Sequence, residues 1–468
     1  MAARWAELDS CLAELMAAAT TMRQLRQTHH DSNELDASSE TKTSLLSPDD
    51  PLEAHCARNA VVAKLAKLQT LVADPSDLLS QLAMQNQILG CLHWLGEFQI
   101  LAFIPRLGSI ALQDVAELAS VPEPQLRRIV RMMAAVAFLR EPRVGQVEHT
   151  ALSAPFGDRP SYHDALRFLT NTAAPAAMQM VPLTQRMRQQ QLLHGAAFND
   201  LPLATGLEHQ AAPRRQWPSY VRYALGDQDS SIESILKSFD WTSLGAATVV
   251  DVGARSTTMA CTLAECHPSL NLVVQMNVPP EVASPDAVRN VRVAVQTRTW
   301  AMPQTVRHAA VYALRVPYDF PTVFAQSRPA RLRAELEAHL GVLRENSAAR
   351  LIVTARLLPR SSDITDDLDS DDGVVKIDGE AVKAHVFDMS LLQLANDREL
   401  EVADLKELVS SVGDGSGHLV LGEQLCAAAK TPTPASVATA AAGMRTESPY
   451  TARDRAFEVR YQRGRLPI

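Results

Sequence analysis

The chain has 468 residues, more than one ordinary domain needs, and its 46% hydrophobic and 21% charged residues are typical of a globular protein with a buried core. Its net charge of -8 excludes a general attraction to nucleic acid or to an anionic membrane. The six cysteines show no CxxC pair and no Cys/His ligand spacing, so we predict neither a disulfide framework nor a metal site.

The first predicted element is an amphipathic helix over residues 1–26. Its apolar residues recur at steps of three and four, at Trp5, Leu8, Leu12, Leu15, Ala19 and Met22. This stripe either packs against the rest of the protein or forms a dimer, and the sequence favours neither. Residues 27–50 are polar and predict a flexible linker. Because no signal pattern and no apolar run of about 18 residues occur, we expect an intracellular protein without a membrane span.

Residues 51–160 are predicted to form a winged helix, a helix-turn-helix with a β-hairpin. Two short helices, Leu112–Ala119 and Glu123–Val136, flank a break that contains Pro122, and two short strands follow around Gly145. Helix, turn, helix and hairpin is the order of a winged helix. We interpret this segment as a dimerisation or DNA-contacting domain.

Two properties of the second helix and the hairpin point in different directions. Five basic residues form a modest positive group that is able to meet DNA phosphates, at Arg127, Arg128, Arg131, Arg140 and Arg143. The helix is also strongly apolar, however, and an apolar helix face is normally buried against other protein surface. We favour dimerisation over DNA contact.

The rest of the chain predicts a helical connector, an α/β domain and a tail. Residues 161–235 are mostly helical. Over 236–430, strands such as Thr248–Val252, Leu270–Val274 and Arg350–Ala355 alternate with helices, which implies a doubly wound, mostly parallel sheet. For the acidic run at 363–372 we favour a solvated insertion over a calcium loop. Residues 431–468 are predicted to be a low-complexity tail.

The most informative segment is the strand Thr248–Val252 with the turn that follows. An acid-x-Gly sequence, Asp251-Val252-Gly253, ends the strand and leads into a helix, which is where a Rossmann-like fold receives its nucleotide. With the segments Leu244–Gly253, His267–Gln275 and Val386–Leu392, residues 75–425 resemble O-methyltransferases that modify aromatic small molecules. The resemblance implies an α+β winged helix followed by an α/β Rossmann-like methyltransferase domain.

The positions that serve catalysis in that class differ in this chain. Arg255 and Thr257 replace two loop glycines; a β-branched residue at positive φ costs about 1–2 kcal/mol, and an arginine side chain would fill cofactor volume. Met276 replaces the acid that binds the ribose, a loss of about 1–3 kcal/mol. Tyr318 lies near the place of the catalytic histidine and is a poor base at neutral pH. We therefore predict no catalytic residues and no bound cofactor.

With a methyltransferase scaffold that lacks the loop glycines, the ribose-binding acid and the catalytic histidine, the chain resembles the O-methyltransferase-like transcriptional coactivators of fungal aromatic-polyketide gene clusters. The aflatoxin-cluster coactivator is typical of this family. This resemblance implies work in the nucleus, with a cytoplasmic pool, beside a zinc-cluster (Zn₂Cys₆) transcription factor. It also implies a homodimer through the winged helix, and promoter DNA contacted directly or through the partner. The alternative is an S-adenosylmethionine-dependent O-methyltransferase that acts on an aromatic polyketide.

Overall fold

A computed structural model describes residues 2–31, 46, 52–194, 211–225, 239–277, 292–316, 327–358, 379–425 and 454–464. Tyr318, the acidic run at 363–372, most of the predicted linker and residues 431–453 lie outside the described residues. The chain forms two compact units, residues 1–225 with 365–379, and residues 226–364 with 380–468.

The first unit begins with a pair of antiparallel helices, α1 (Ala2–Asp31) and α2 (Leu52–Val72). Lys67 of α2 forms an ion pair with Glu7 of α1 at 2.9 Å, and the buried Cys11 lies against the backbone of Lys64. The first helix thus packs against the second through residues outside the predicted apolar stripe, because Trp5 and Leu12 of that stripe are exposed. It also continues past residue 26, since neither glycine nor proline interrupts residues 23–31.

The middle of the first unit forms a small apolar core. Asp74 caps α3 by accepting hydrogen bonds from the backbone N–H groups of Ser76 and Asp77. The elements are α3 (Pro75–Glu97), α4 (Ile100–Phe103), β1 (Ile110–Ala111), α5 (Leu112–Ala119), α6 (Glu123–Ala135), β2 (Leu139–Arg140) and β3 (Gln146–His149). The three strands pair in the order β1-β3-β2. The predicted order of two helices and a hairpin is present, and the winged-helix interpretation stays a prediction.

Helices complete the first unit. They are α7 (Ala154–Asp158), α8 (Pro160–Phe168), a π-helical turn (Leu169–Ala173), α9 (Ala174–Met178), α10 (Met180–His194) and α11 (Ala211–Ala224). Buried aromatic rings join α8 to α11: the Phe168 ring lies 5.3 Å from that of Trp217 and 4.8 Å from that of Tyr220. Aromatic contacts of this kind contribute both area and orientation to a helical core.

The second unit is built on an eight-stranded sheet in the order β6-β5-β4-β7-β8-β11-β10-β9. Its strands are β4 (Thr248–Val252), β5 (Asn271–Met276), β6 (Val293–Thr297), β7 (Val311–Arg315), β8 (Arg350–Arg356), β9 (Gly413–Asp414), β10 (Gly417–Leu425) and β11 (Asp454–Arg463). The pairs from β6 to β8 are parallel, and the pairs among β8, β11, β10 and β9 are antiparallel. This confirms the predicted mostly parallel α/β sheet. The chain order reverses between β4 and β7, where such folds bind ligands.

Helices cover both faces of this sheet. They are a 3₁₀ turn (Thr242–Leu244), α12 (Thr258–Cys266), α13 (Arg328–Glu345), α14 (Gly379–Ala395) and α15 (Val402–Ser410). Successive residues of β4 point to opposite faces, so Val249 joins an apolar cluster with α12 and Val250 joins another with α13 and α15. Each face of the sheet therefore has its own core.

The predicted low-complexity tail over residues 431–468 is wrong at its end. Residues 454–463 form β11, which pairs with β8 on one side and β10 on the other. Ala456, Phe457, Val459 and Tyr461 of this strand are buried. The prediction extended the Thr/Pro/Ala-rich composition before residue 450 to the end of the chain, whereas the short segment after it is stabilised by strand pairing on both sides.

Candidate functional site

The carboxyl ends of β4 and β5 bring together the five predicted residues of the degenerate cofactor loop, beside the carboxyl end of β7. The turn after β4 requires glycine at position 253, whose φ is +75°. A Cβ there would lie 3.1 Å from the backbone oxygen of Arg315 and 3.4 Å from the Trp300 ring. The N–H groups of Gly253 and Ala254 both donate to the carbonyl of Gln275, at 3.0 and 3.1 Å. Gly253 thus has a structural reason to be present without any ligand.

The two residues that replace loop glycines occupy ordinary backbone conformations. Thr257 has φ -89° and precedes the first residue of α12, so the strain expected at this position is absent. The chain reaches the helix with positive φ at Gly253 and without positive φ at Arg255 or Thr257. Arg255 is exposed and Thr257 is half-buried. The loop therefore accommodates Arg255 and Thr257 without backbone strain.

The acid of the motif is held by a buried arginine. Arg315, the last residue of β7, donates from Nε to Asp251 Oδ1 at 3.0 Å and from Nη2 to Oδ2 at 2.9 Å. Asp251 is 1% exposed and Arg315 7%. A bidentate pair of this kind engages both carboxylate oxygens. Arg315 was not predicted as a partner of Asp251, although a basic residue directly after the apolar run Ala309–Leu314 is a signal that the sequence contains.

The end of β5 presents no acid to the same edge. Met276 is buried, with 1% of its surface exposed. The side chain before it, Gln275, forms a reciprocal amide pair with Gln304: each amide nitrogen donates to the other's oxygen, at 2.8 and 2.9 Å. Both polar atoms of Gln275 are thus engaged within the protein, and Met276 offers no charged acceptor.

A histidine lies behind this amide pair and is neutral. Burial lowers the pKa of His339 to about 4. Its Nδ1 donates to the carbonyl of Glu335 at 2.8 Å, so its Nε2 accepts from the Gln304 amide at 3.1 Å. A neutral ring with one donor and one acceptor meets both of these contacts.

The loop after β6 closes one side of the Gly253 turn. Arg298 and the backbone N–H of Ala301 both bond the carboxylate of Glu335, the latter at 2.6 Å. Burial raises the pKa of Glu335, and Arg298 opposes that shift. Trp300 donates from its ring nitrogen to the carbonyl of Arg331 at 3.2 Å, which fixes the ring beside Gly253. These contacts bind the loop to α13 as a rigid part of the fold.

The residues at this edge do not fit S-adenosylmethionine. That cofactor carries ribose hydroxyls that need an acceptor, and the structure places the Met276 side chain at the end of β5. The nearby carboxylate of Asp251 is engaged by Arg315, and the Gln275 amide is engaged by Gln304. We therefore derive no methyl transfer through this edge.

The five arginines predicted to meet DNA lie on α6 and the β2–β3 hairpin. Three of them are paired with glutamates of the same segment: Arg127 with Glu123, Arg131 with Glu141 and Arg140 with Glu148. Arg128 and Arg143 are exposed and form no ion pair with any residue that the structure describes. Pairing reduces the positive charge that this surface offers to phosphates.

Within the described ranges, no group of three or more His, Cys, Asp or Glu side chains is arranged to hold a metal ion. No helix in the described part of the chain combines the length and the apolarity that crossing a bilayer requires.

Comparisons with known proteins now assign the family. Residues 5–73 match the model of the N-terminal domain of the trypacidin cluster transcriptional coactivator tpcD. The chain is 38% identical to the dothistromin biosynthesis regulatory protein aflJ of Dothistroma septosporum, over 90% of this chain and 95% of that protein. It is also 38% identical to the agnestins biosynthesis cluster transcriptional coactivator AgnL9 of Paecilomyces divaricatus, with the same coverage.

Solved structures show the same fold at low sequence identity. LepI, determined in complex with SAM, aligns with TM-score 0.57 and 14% identity over 96% of this chain and 100% of that chain. The mitomycin 7-O-methyltransferase MmcR aligns with TM-score 0.52 and 16% identity, over 83% of this chain and 98% of that chain.

The chain thus has a methyltransferase-like fold, with a helical N-terminal part and a mostly parallel α/β sheet. Among proteins with this fold, the chain belongs to the family of transcriptional coactivators of secondary-metabolite gene clusters. The predicted resemblance is thereby confirmed. The relatives are named as regulators and coactivators, which agrees with the prediction of a degenerate methyltransferase that is not an enzyme.

Proposed function

We propose that this protein activates the genes of an aromatic-polyketide cluster in the nucleus, beside a zinc-cluster transcription factor, without binding S-adenosylmethionine. One observation carries the proposal: the chain is 38% identical to named cluster regulators over nine tenths of its length. The carboxyl edge of the sheet supports the proposal, because Asp251 is bound to Arg315 and Gln275 to Gln304 instead of facing a cofactor. A fold that has lost its catalytic site can still serve as a protein-binding scaffold.

The test of this proposal is a deletion strain. Removing the coding sequence should silence the neighbouring biosynthetic genes, and the wild-type chain should restore their transcripts. A second strain should carry Tyr318→Phe, which removes the hydroxyl at the predicted place of the catalytic base. Full rescue by this variant supports a non-catalytic role, whereas unchanged transcripts in the deletion strain would refute the proposal.

The second candidate function is a working O-methyltransferase. It is favoured by the retained sequence Asp251-Val252-Gly253, and it is opposed by the buried pair of Asp251 with Arg315 and by Met276 at the end of β5. Isothermal calorimetry with S-adenosylmethionine separates the two functions, with an active O-methyltransferase as the positive control. We expect no binding heat at micromolar protein; a dissociation constant in the micromolar range would favour the enzyme.

Between the two proposed roles of residues 51–160, the contacts support dimerisation over direct DNA contact. Three of the five arginines are paired internally, as described above, whereas α3 exposes apolar side chains at helical spacing, at Leu78, Leu79 and Leu82. If DNA is contacted here, Arg128→Ala/Arg143→Ala should lower promoter occupancy. Unchanged occupancy in chromatin immunoprecipitation would leave promoter contact to the partner.

A further inference from the structure

An exposed apolar surface covers one side of the α1–α2 helical pair. On α1, Trp5, Leu12 and Met16 are exposed, by 63%, 43% and 66%. They lie about 120° around the helix axis from Cys11, the buried residue that faces α2. The α1 face that carries these three residues is therefore different from the face that α2 covers.

The second helix carries a matching stripe. Val62, Leu65 and Val72 are exposed by 53%, 52% and 66%. They lie about 90° around α2 from the buried Ala57, and the exposed part of the stripe ends before Ala54, which is in line with it and is buried. The ion pairs of Glu7 with Lys67 and of Glu14 with Lys64 show that the two helices run antiparallel. Two antiparallel helices are related by a local twofold axis perpendicular to both. On each helix the exposed stripe is reached from the buried residue by turning in the same sense about the helix axis, so the two stripes lie on the same side of the pair.

Exposed arginines lie at both ends of this surface, and the one beside Trp5, Arg4, donates to the backbone carbonyl of Leu71. Arg58 lies one turn before Val62 on α2, and Arg23 lies two turns after Met16 on α1, so both extend the stripes at the same end of the antiparallel pair. Both arginines are exposed, and neither forms an ion pair with any residue among those described. The surface is thus an apolar strip of about 16 Å, three turns of helix, with a basic end.

We propose that this surface binds an acidic amphipathic helix of a partner protein. Apolar residues at every third or fourth position of the partner helix would lie between the two stripes. Carboxylates at one end of the partner helix would pair with Arg23 and Arg58. The inference rests on the proposed function only for the partner's identity as a transcription factor. It is supported by the match of residues 5–73 to a domain of a cluster coactivator, since that match covers this helical pair.

A second copy of the chain is a poorer occupant of the surface. The basic end requires acidic groups from the partner, and Glu7 and Glu14 of a second pair are already bound to Lys67 and Lys64. Asp9, between Trp5 and Leu12, is a single exposed charge. Charge complementarity therefore favours a different, acidic helix.

The proposal is tested with the full-length protein and a defined probe. The probe is a fluorescein-labelled peptide of about 18 residues, ~27 Å as a helix, with leucines at helical spacing and glutamates elsewhere. Its controls replace every glutamate by lysine, or two central leucines by proline. Fluorescence anisotropy should show binding of the acidic helix and little binding of either control; equal binding of all three would overturn the proposal.

Variants locate the site. Trp5→Ala/Leu65→Ala and Arg23→Ser/Arg58→Ser should each weaken the acidic peptide by roughly tenfold or more. The matched controls are exposed residues outside the helical pair, Leu118→Ala/Val144→Ala and Arg128→Ser/Arg143→Ser, and should leave binding unchanged. Unchanged circular dichroism shows that each variant is folded. Loss of dimer in Trp5→Ala/Leu65→Ala, measured by sedimentation, would assign the surface to a second copy and overturn the proposal.

The deletion strain separates this inference from the proposed function. If Trp5→Ala/Leu65→Ala restores cluster transcripts as well as the wild type does, the docking proposal fails while the coactivator function stands. If the deletion leaves transcripts unchanged, the proposed function fails whatever the peptide does. We expect silenced transcripts in the deletion and no more than weak rescue by this variant.

Discussion

At the scale of single residues, the ion pair of Asp251 and Arg315 engages the acid of the strand-to-helix motif within the protein. The Asp251 carboxylate, near the end of β4, is 1% exposed, and both of its oxygens accept from the guanidinium. A buried ion pair contributes little when compared with apolar residues, but removing one partner leaves an uncompensated charge. The pair therefore behaves as a unit.

A double-mutant cycle should show this coupling. Asp251→Leu and Arg315→Leu are each expected to lower the free energy of unfolding by about 3–5 kcal/mol. The double variant should lose less than the sum of the two by at least about 1 kcal/mol. Urea denaturation followed by tryptophan fluorescence measures all three, and strict additivity would contradict the geometry.

Gly253 is predicted to be required by conformation alone. With φ +75° and a neighbouring backbone oxygen 3.1 Å from a built Cβ, Gly253→Ala should lower the free energy of unfolding by about 1–3 kcal/mol. Gly90→Ala is the matched control, because Gly90 lies in α3 with open space around it. That variant should stabilise the protein by up to about 1 kcal/mol. Equal effects of the two substitutions would speak against a conformational role for Gly253.

The sequence indicated the site's positions better than its contacts. Asp251, Gly253 and Met276 lie at the edge where the resemblance placed them, because strand order and register follow from a periodic pattern. The partners Arg315, Gln304 and Trp300 come from segments that are distant in sequence, and only the folded sheet brings them together. The backbone conformation of Thr257 could not be predicted from the sequence either. We expected a strained positive φ by analogy with a glycine-rich loop, and the loop instead has φ -89° at this residue.

At the scale of elements, strongly periodic segments were predictable and terminal ones were not. The parallel strands β4, β5, β7 and β8 and the two short helices α5 and α6 follow from apolar patterns, whereas the short strand β6 was not predicted. The strand β11 lies next to a low-complexity stretch, and its pairing with β8 and β10 is a tertiary contact that no local pattern reports. The C-terminal end of α1 depends on helix propensity alone, and the helix ends at Asp31, five residues after the predicted end at residue 26.

The buried layer between β5 and α13 predicts a pH dependence. Because full burial lowers the pKa of His339 to about 4, from 6.5, the unfolded chain binds a proton that the folded chain does not. Stability from this group should be complete above pH 6.5 and fall by about 3 kcal/mol as the pH drops to 4.

His339→Gln should flatten that part of the profile, since glutamine keeps a donor and an acceptor without titrating. Glu399, whose pKa burial raises to about 7, acts in the opposite direction but is common to both proteins. The exposed His385→Gln is the control. Urea midpoints between pH 4 and 8 measure the effect, and parallel profiles for His339→Gln and wild type would exclude this role.

At the scale of the whole molecule, the exposed apolar stripe on α3 is not covered by any other described part of the chain. On α3, Leu78, Leu79 and Leu82 expose 54%, 68% and 53% of their surface, and a stripe of this kind is normally covered by another protein surface. We expect a homodimer that buries these leucines. Leu78→Ser/Leu82→Ser should then sediment as a monomer at micromolar concentration, while Met302→Ser, an equally exposed residue of the second unit, should remain a dimer. The result also separates the two helical surfaces: the α3 variant should still bind the acidic peptide, because α1 and α2 are unchanged. A wild-type chain that sediments as a monomer throughout this range would assign the α3 leucines to a different partner.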